Sequence, residues 1–223
     1  MYHGTEKERG EKILSEQKMP VSVSSDRTQH WLGDGVYLYR DKFYAFRWIS
    51  LMYKERHGKE KEEEELLKKY SILEVDVEYN VERIFNLDNP EHCMAFKEIE
   101  KKYRGKSIYS SKLKNMEYTD GLIINIMFKN LNYGENYDAI EACFPIYDFN
   151  TGGSRIKSMS EYQICIKNNR IIKEIRDITE FINVQKYKKC FSDFEKLKRS
   201  GQGQDGVNLQ YKSRQRSVKY GKR

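Results

Sequence analysis

The sequence predicts an α+β domain in which mostly antiparallel strands are flanked by helices, and three observations carry that prediction. Stretches of period-two alternation and stretches of helical spacing are mixed along the chain without a regular strand-helix-strand rhythm. Several strand-like segments gather late, at YDAIEACFPIYD, EYQICIKNN and RIIKEIRDI. No GxGxxG follows a strand and no GxxxxGK followed by Ser or Thr is present, so neither a dinucleotide-binding parallel sheet nor a P-loop is supported. A length of 223 residues suits one full domain with at most a modest appendage.

The elements read in order as follows. MYHGT is a short strand, and EKERGEKILSEQK after it is a polar helix anchored by Ile13 and Leu14. Asp34-Gly35 is a turn signal, read as an ordinary hairpin turn, and leads into VYLY, a strand. DKFYAFRWISLMYKER has helical spacing with Asp41 placed to cap it. The charge run KERHGKEKEEEELLKKY reads as a solvated helix held by i, i+4 pairs.

SILEVDVEYN alternates as a strand, and IFNLDNP is a short strand stopped by Asn-Pro. PEHCMAFKEIEKKYRGK opens on proline and closes near glycine, as a helix does. DGLIINIMFKNL is apolar and open to either reading, but its extent fits a buried helix better than a strand. The last two strands are predicted to join as a hairpin at Asn168-Asn169, and EFINVQKYKKCFSDFEKLKR is predicted to be a closing polar helix. The domain is therefore assigned to residues 1–199, with 200–223 a basic, flexible tail poor in core residues.

Charge sharpens that division. The net charge is +7, yet from Lys196 onward there are nine Lys/Arg and one Asp, so residues 1–195 are near neutral at −1. No stretch is apolar enough to span a membrane, and MYHGTEKERG lacks the apolar core of a signal peptide, so a cytoplasmic protein is expected. Cys93, Cys143, Cys165 and Cys190 are far apart, and the four histidines have no ligand spacing, so neither a disulfide framework nor a metal site is indicated.

Three short segments carry the chemistry. They are Tyr2-His3-Gly4-Thr5, Gly33-Asp34-Gly35-Val36-Tyr37 running on into Tyr44-Ala45-Phe46-Arg47-Trp48, and Ser160-Glu161-Tyr162. Taken together, in this order and with spacings of 34 and 124 residues, they resemble the H-Y-E class of ADP-ribosyltransferases, which includes the diphtheria-type toxins and the poly-ADP-ribose polymerases. The resemblance covers roughly residues 1–175. It implies an ADP-ribosyltransferase fold, with two mostly antiparallel sheets around an NAD cleft and flanking helices. It also implies His3, Tyr37 and Glu161 as catalytic residues, and His3, Gly4, Thr5, Tyr37 and Trp48 as contacts to NAD.

The chemistry gives each residue type a reason. Cleaving the bond between nicotinamide and ribose builds positive charge on the sugar, so a fixed carboxylate on the ribose 2′-hydroxyl binds the transition state best, and Glu161 is the candidate. A histidine holds a ribose hydroxyl, and a glycine lets its backbone reach the carboxamide; His3 and Gly4 suit these parts, with Thr5 adding a hydroxyl. The cationic nicotinamide ring stacks between aromatic faces, for which Tyr37 and Trp48 are expected. The serine with which the polymerases bind the carboxamide falls on Ala45. Glu161 and Gln163 share a strand face, so either can be the third catalytic position, and Glu161 is favoured because a carboxylate stabilises ribosyl charge better than an amide. Met159, two residues before Glu161, disfavours arginine as acceptor unless Gln163 is the third catalytic residue.

The expected activity is NAD-dependent mono-ADP-ribosyl transfer to a macromolecule, RNA, DNA or protein, with NAD as co-substrate and no metal. The resemblance further implies a toxin of a toxin-antitoxin or phage-defence system, with an antitoxin as partner. Two other readings stand beside it: a nucleic-acid- or antitoxin-binding protein without activity, for which the tail with Tyr211 and Tyr220 speaks, and an RNA 2′-phosphotransferase-like enzyme. The tail is expected to steer an anionic acceptor and to be dispensable for the fold and for NAD cleavage.

Overall fold

The structure is a computed structural model that describes residues 1–24, 30–58, 63–103, 119–148, 158–187 and 189–190. Seven strands form one sheet: β1 (Tyr2–Glu6), β2 (Val36–Tyr39), β3 (Tyr70–Val77), β4 (Ile84–Asn86), β5 (Ala139–Asp148), β6 (Ser158–Ile166) and β7 (Ile172–Asp177). Their order across the sheet is β4-β5-β6-β2-β1-β3-β7, with every pair antiparallel except β4 and β5. The helices are α1 (Lys7–Glu16), α2 (Lys42–His57), α3 (Glu63–Leu67), α4 (Pro90–Tyr103), α5 (Asp120–Asn130) and α6 (Tyr133–Asn136). The α+β class is as the sequence predicts. No helix among the described residues is long and apolar enough to cross a membrane.

The expectation of two sheets needs correction, because the strands form one continuous sheet with a weak seam. β1 pairs with β3 at five positions but with β2 only at Tyr2↔Tyr39. One residue pair thus joins a β7-β3-β1 half of the sheet to a β2-β6-β5-β4 half. A second correction concerns Asn168-Asn169. These residues do not close a hairpin, since β6 pairs with β2 and β5 while β7 crosses to the far edge and pairs with β3. Nor is Asp34-Gly35 a hairpin turn: Gly35 forms a lone bridge with Ser22, and β2 is flanked by strands distant in sequence.

Side-chain alternation sorts the core onto two faces. On one face Val36, Leu38, Leu73, Val75, Ile84, Ala139, Ile164 and Ile166 pack together with Ile13 of α1. The other face carries two separate clusters. In one, Ala45, Phe46 and Ile49 of α2 pack with Tyr39, Tyr70 and Ile72 of the strands. In the other, Phe96 of α4 and Ile123, Ile124 and Met127 of α5 pack with Phe85, Ile140, Ala142 and Cys165 of the strands. Glu161 and Gln163, both buried, stand on this face with Tyr39 opposite Gln163 on β2 and with Ala142 and Phe144 opposite them on β5. The chain thus places two polar side chains where neither apolar cluster closes over the sheet.

Helix ends follow local chemistry. The Asp41 carboxylate accepts from the Phe43 amide at 2.7 Å, as its predicted capping role requires, and Gly58 in a left-handed conformation ends α2. The Thr119 hydroxyl caps α5, whose Ile123, Ile124 and Met127 are fully buried, as predicted for DGLIINIMFKNL. The predicted closing helix, 180–199, begins later than the sequence suggests: a 3-10 turn, Thr179–Phe181, precedes helical residues at 184–187 and 189–190, while 188, 191–199 and the tail 200–223 lie outside the described residues.

Candidate active site

The seam between β1 and β2 is where the first two predicted segments meet. The Met1 amino group donates to the Val75 carbonyl and the Val75 amide donates back to Met1, each at 2.7 Å. Antiparallel alternation then directs the backbone groups of His3 and Thr5 to β3, and those of Tyr2 and Gly4 toward β2. Tyr2 meets Tyr39 there, but by Gly4 the strands have parted. The Gly4 amide and carbonyl therefore face the seam, which is the placement a carboxamide-binding glycine needs.

Gly4 must be glycine for a second reason. A Cβ at this position would lie 2.6 Å from the Ala45 carbonyl oxygen and 2.6 Å from Ile49 Cγ2, so α2 rests directly on the β1 backbone. Gly4→Ala forces α2 off the strand, and a loss of about 1 to 3 kcal/mol is expected, seen as a fall in Tm of several degrees. An unchanged Tm shows that α2 does not sit this close.

His3 bridges the seam. Its Nδ1 donates to the Tyr37 carbonyl at 2.8 Å. Burial lowers its pKa, the Tyr37 carbonyl opposes that, and Arg9 adds to the lowering, so the ring is neutral at pH 7. With the proton on Nδ1, Nε2 keeps a lone pair that can accept a hydroxyl hydrogen. Thr5 is placed otherwise than the resemblance implies. It is buried, its methyl group lies against Gly10 of α1, and its backbone pairs with Ser71, so its side chain, like that of His3 two residues before it, is on the α1 side and away from Gly4's α2 face.

Tyr37 is tied to its own loop. Its hydroxyl donates to the Gly33 carbonyl at 2.7 Å and accepts from the Leu32 amide at 2.9 Å, while its ring lies 5.5 Å from that of His30. Burial pushes the phenol pKa well above its usual range. Gly33 is left-handed at φ 73°, and a Cβ there would meet the Asn125 side chain at 2.5 Å. Asp34 next to it receives the Asn125 side-chain amide at 2.9 Å and the Lys129 ammonium at 2.6 Å. Burial resists its ionisation, but these donors and the Ser24 amide hold its carboxyl down at about 2. The 30–35 loop is thereby bolted to α5 and holds Tyr37 in place. On the outer side of this loop is a cavity of about 310 Å³ lined by Asp34, Asn125, Phe128, Lys129 and Lys167, separate from His3 and Glu161. Its two ammonium groups are spent on Asp34 and on the Leu32 and Asp34 carbonyls.

The third segment lies on β6, the neighbour of β2. Cys165 stands opposite Tyr37, Gln163 opposite Tyr39, and Glu161 one step beyond the end of β2. Gln163 donates from Nε2 to Glu161 Oε1, and Arg47 Nη1 donates to Glu161 Oε2 at 2.9 Å. Burial raises the Glu161 pKa, partly offset by Gln163 and Arg47. The two residues left open by the sequence thus work as one unit. Arg47 was missed by sequence reasoning. Its signal was an arginine inside the apolar run FYAFRWISLMY, one turn from Tyr44.

Tyr44 and Trp48 are four residues apart on α2 and share an edge of that helix. The Tyr44 hydroxyl donates to the Ser160 carbonyl at 2.8 Å, which docks this edge beside Glu161. Trp48 is 41% exposed and so is available as a stacking surface. His3 and the Tyr37 carbonyl meet at the seam beside the Gly4 backbone, with the His3 ring on the α1 face, the face of its partner Leu73 and of Thr5; Glu161, Gln163, Arg47 and Tyr44 form a second group on the opposite, α2 face, further along β6 from the residue opposite Tyr37.

The chain is 32% identical to the uncharacterized protein MJ0359 of Methanocaldococcus jannaschii over 191 residues, a match that covers 78% of this chain and 85% of the relative. No family model matches the chain, and no solved structure matches it at a significant level.

Proposed function

Taking as premise that this chain belongs to the family of the archaeal MJ0359 protein, we propose that it is an NAD-dependent mono-ADP-ribosyltransferase acting on a macromolecular acceptor. The observation that carries the reading is the parted seam itself. His3 spans it to the Tyr37 carbonyl, the Gly4 backbone faces it, and the Glu161–Gln163 pair stands on the next strand.

Each part has work to do in this reading. The Gly4 amide and carbonyl pair with the nicotinamide carboxamide, which compensates for the absence of a hydroxyl at Ala45. Neutral His3, whose ring is on the α1 face, accepts a ribose hydroxyl at Nε2 through the gap where β1 and β2 part. Glu161 accepts the ribose 2′-hydroxyl, an interaction that strengthens as the glycosidic bond breaks and the sugar gains positive charge. Gln163 and Arg47 hold the carboxylate in one orientation, and both favour its ionised form against the effect of burial. The bond's electron pair leaves with the pyridinium nitrogen, so nicotinamide departs neutral.

The test is direct. Calorimetric titration of NAD into the full-length protein should show binding, and nicotinamide should be released slowly with water and faster with cell lysate as a source of acceptor. Folded protein that neither binds NAD nor releases nicotinamide removes the reading.

A further inference from the structure

We propose that the acceptor at this site is a nucleobase of a single-stranded nucleic acid, seated on the Trp31–Phe144 aromatic pair beside Glu161. The inference rests on the transferase reading above and names its second substrate.

Phe144 is the cross-strand partner of Glu161, so the two side chains leave neighbouring strands on the same face, about 5 Å apart at the backbone. The Trp31 indole lies against that phenyl ring, centroids 5.0 Å apart, and still has 40% of its surface in water. A single exposed indole would need no explanation. Here a second half-exposed indole, Trp48, stands on the other bank, on the helix edge that Tyr44 fixes to Ser160 beside Glu161. The carboxylate thus lies between two aromatic surfaces, one on the β5 side and one on the α2 side. Flat aromatic banks suit a flat ring, and base–aromatic stacking tolerates any base because each has a π-face.

Charge points the same way. Arg47 on Glu161 puts a guanidinium where the cationic side chain of an arginine or lysine acceptor would have to enter, which disfavours such acceptors. The sequence after residue 195 carries nine Lys/Arg against one Asp, a composition suited to a polyanion. In the transfer, the ribose C1′–nicotinamide bond breaks and its electron pair stays on the nicotinamide nitrogen. A base nitrogen gives its lone pair to C1′, and the proton it sheds passes to the Glu161 carboxylate and then to solvent.

The experiment incubates full-length wild type, Trp31→Ala and Trp31→Phe with labelled NAD and mixed-sequence single-stranded DNA or RNA oligonucleotides, with a protein extract as the competing acceptor. It also follows tryptophan fluorescence on adding each oligonucleotide without NAD. The expected result is label on an oligonucleotide that nuclease removes and protease does not. The ratio of base labelled to NAD hydrolysed should fall about ten-fold or more in Trp31→Ala and stay near wild type in Trp31→Phe. Oligonucleotide should quench the wild-type fluorescence, with the quench diminished in Trp31→Ala. Label confined to protein, or a Trp31→Ala ratio equal to wild type while NAD is consumed, overturns this proposal and leaves the transferase reading standing. A Trp31-dependent quench with no NAD consumption overturns the transferase reading and, with it, transfer to the base.

Discussion

Glu161→Gln is expected to slow nicotinamide release by about a hundred-fold or more while leaving NAD affinity within a few-fold of wild type. The amide keeps the size and one acceptor oxygen of the carboxylate, so ground-state contacts survive. What is lost is the negative charge that meets the positive charge growing on ribose as the bond breaks, and that loss falls on turnover. Single-turnover release of nicotinamide, measured beside calorimetric NAD binding, separates the two effects. Gln163→Ala provides the contrast. Gln163 holds Glu161 by one hydrogen bond, so its removal should cost less than removal of the charge. If Gln163→Ala abolishes release and Glu161→Gln does not, the catalytic position on β6 is Gln163.

How much of this was legible in the sequence depends on whether the determining contacts are local. The MYHGT strand, the helix begun by Asp41 and the buried helix DGLIINIMFKNL were readable because period and cap lie within a few residues. The supposed hairpin at Asn168-Asn169 was not. Asn168 does form a local turn, capping the Arg170 amide at 3.2 Å, but the next strand is claimed by β3, nearly a hundred residues away, whose Leu73 and Val75 align Ile175 with the core on the α1 face. Two-residue turn chemistry says that the chain bends and nothing about which strand it then meets.

The site divides along the same line. His3, Gly4, Tyr37 and Glu161 were picked out by their order, and the structure adds what spacing does not hold: which backbone groups face the seam, and that the His3 and Thr5 side chains lie on the α1 side. Trp31 could not be distinguished from any surface indole until Phe144 was seen opposite Glu161. Arg47 could not be distinguished from a solvated helix residue until β6 brought Glu161 within 2.9 Å of it, across 114 positions of sequence.

That pair leads to the second large effect. Arg47→Met keeps the length and much of the volume of the side chain but leaves the buried Glu161 carboxylate with Gln163 alone. The ion pair is partly open on the arginine side, at 20% exposure, so the cost should lie near the lower end for a broken buried pair, about 2 to 3 kcal/mol, or a fall in Tm of roughly 5 to 10 °C. The cost should depend on pH, with a fixed sign. Burial already raises the folded-state pKa of Glu161 above its unfolded value, and removing Arg47 raises it further. The folded variant therefore takes up a proton in a range where the unfolded chain has lost its own, and stability falls as pH rises through that window. The deficit against wild type should be largest at neutral pH and shrink as pH drops toward the ordinary glutamate range. The double variant Arg47→Met with Glu161→Gln has no charge left to bury and should recover most of the lost stability at pH 7, a coupling that urea melts of the four proteins would measure. Strictly additive losses, unchanged between pH 7 and pH 5, would show that Arg47 does not compensate Glu161 and that the carboxylate is solvated in the free protein.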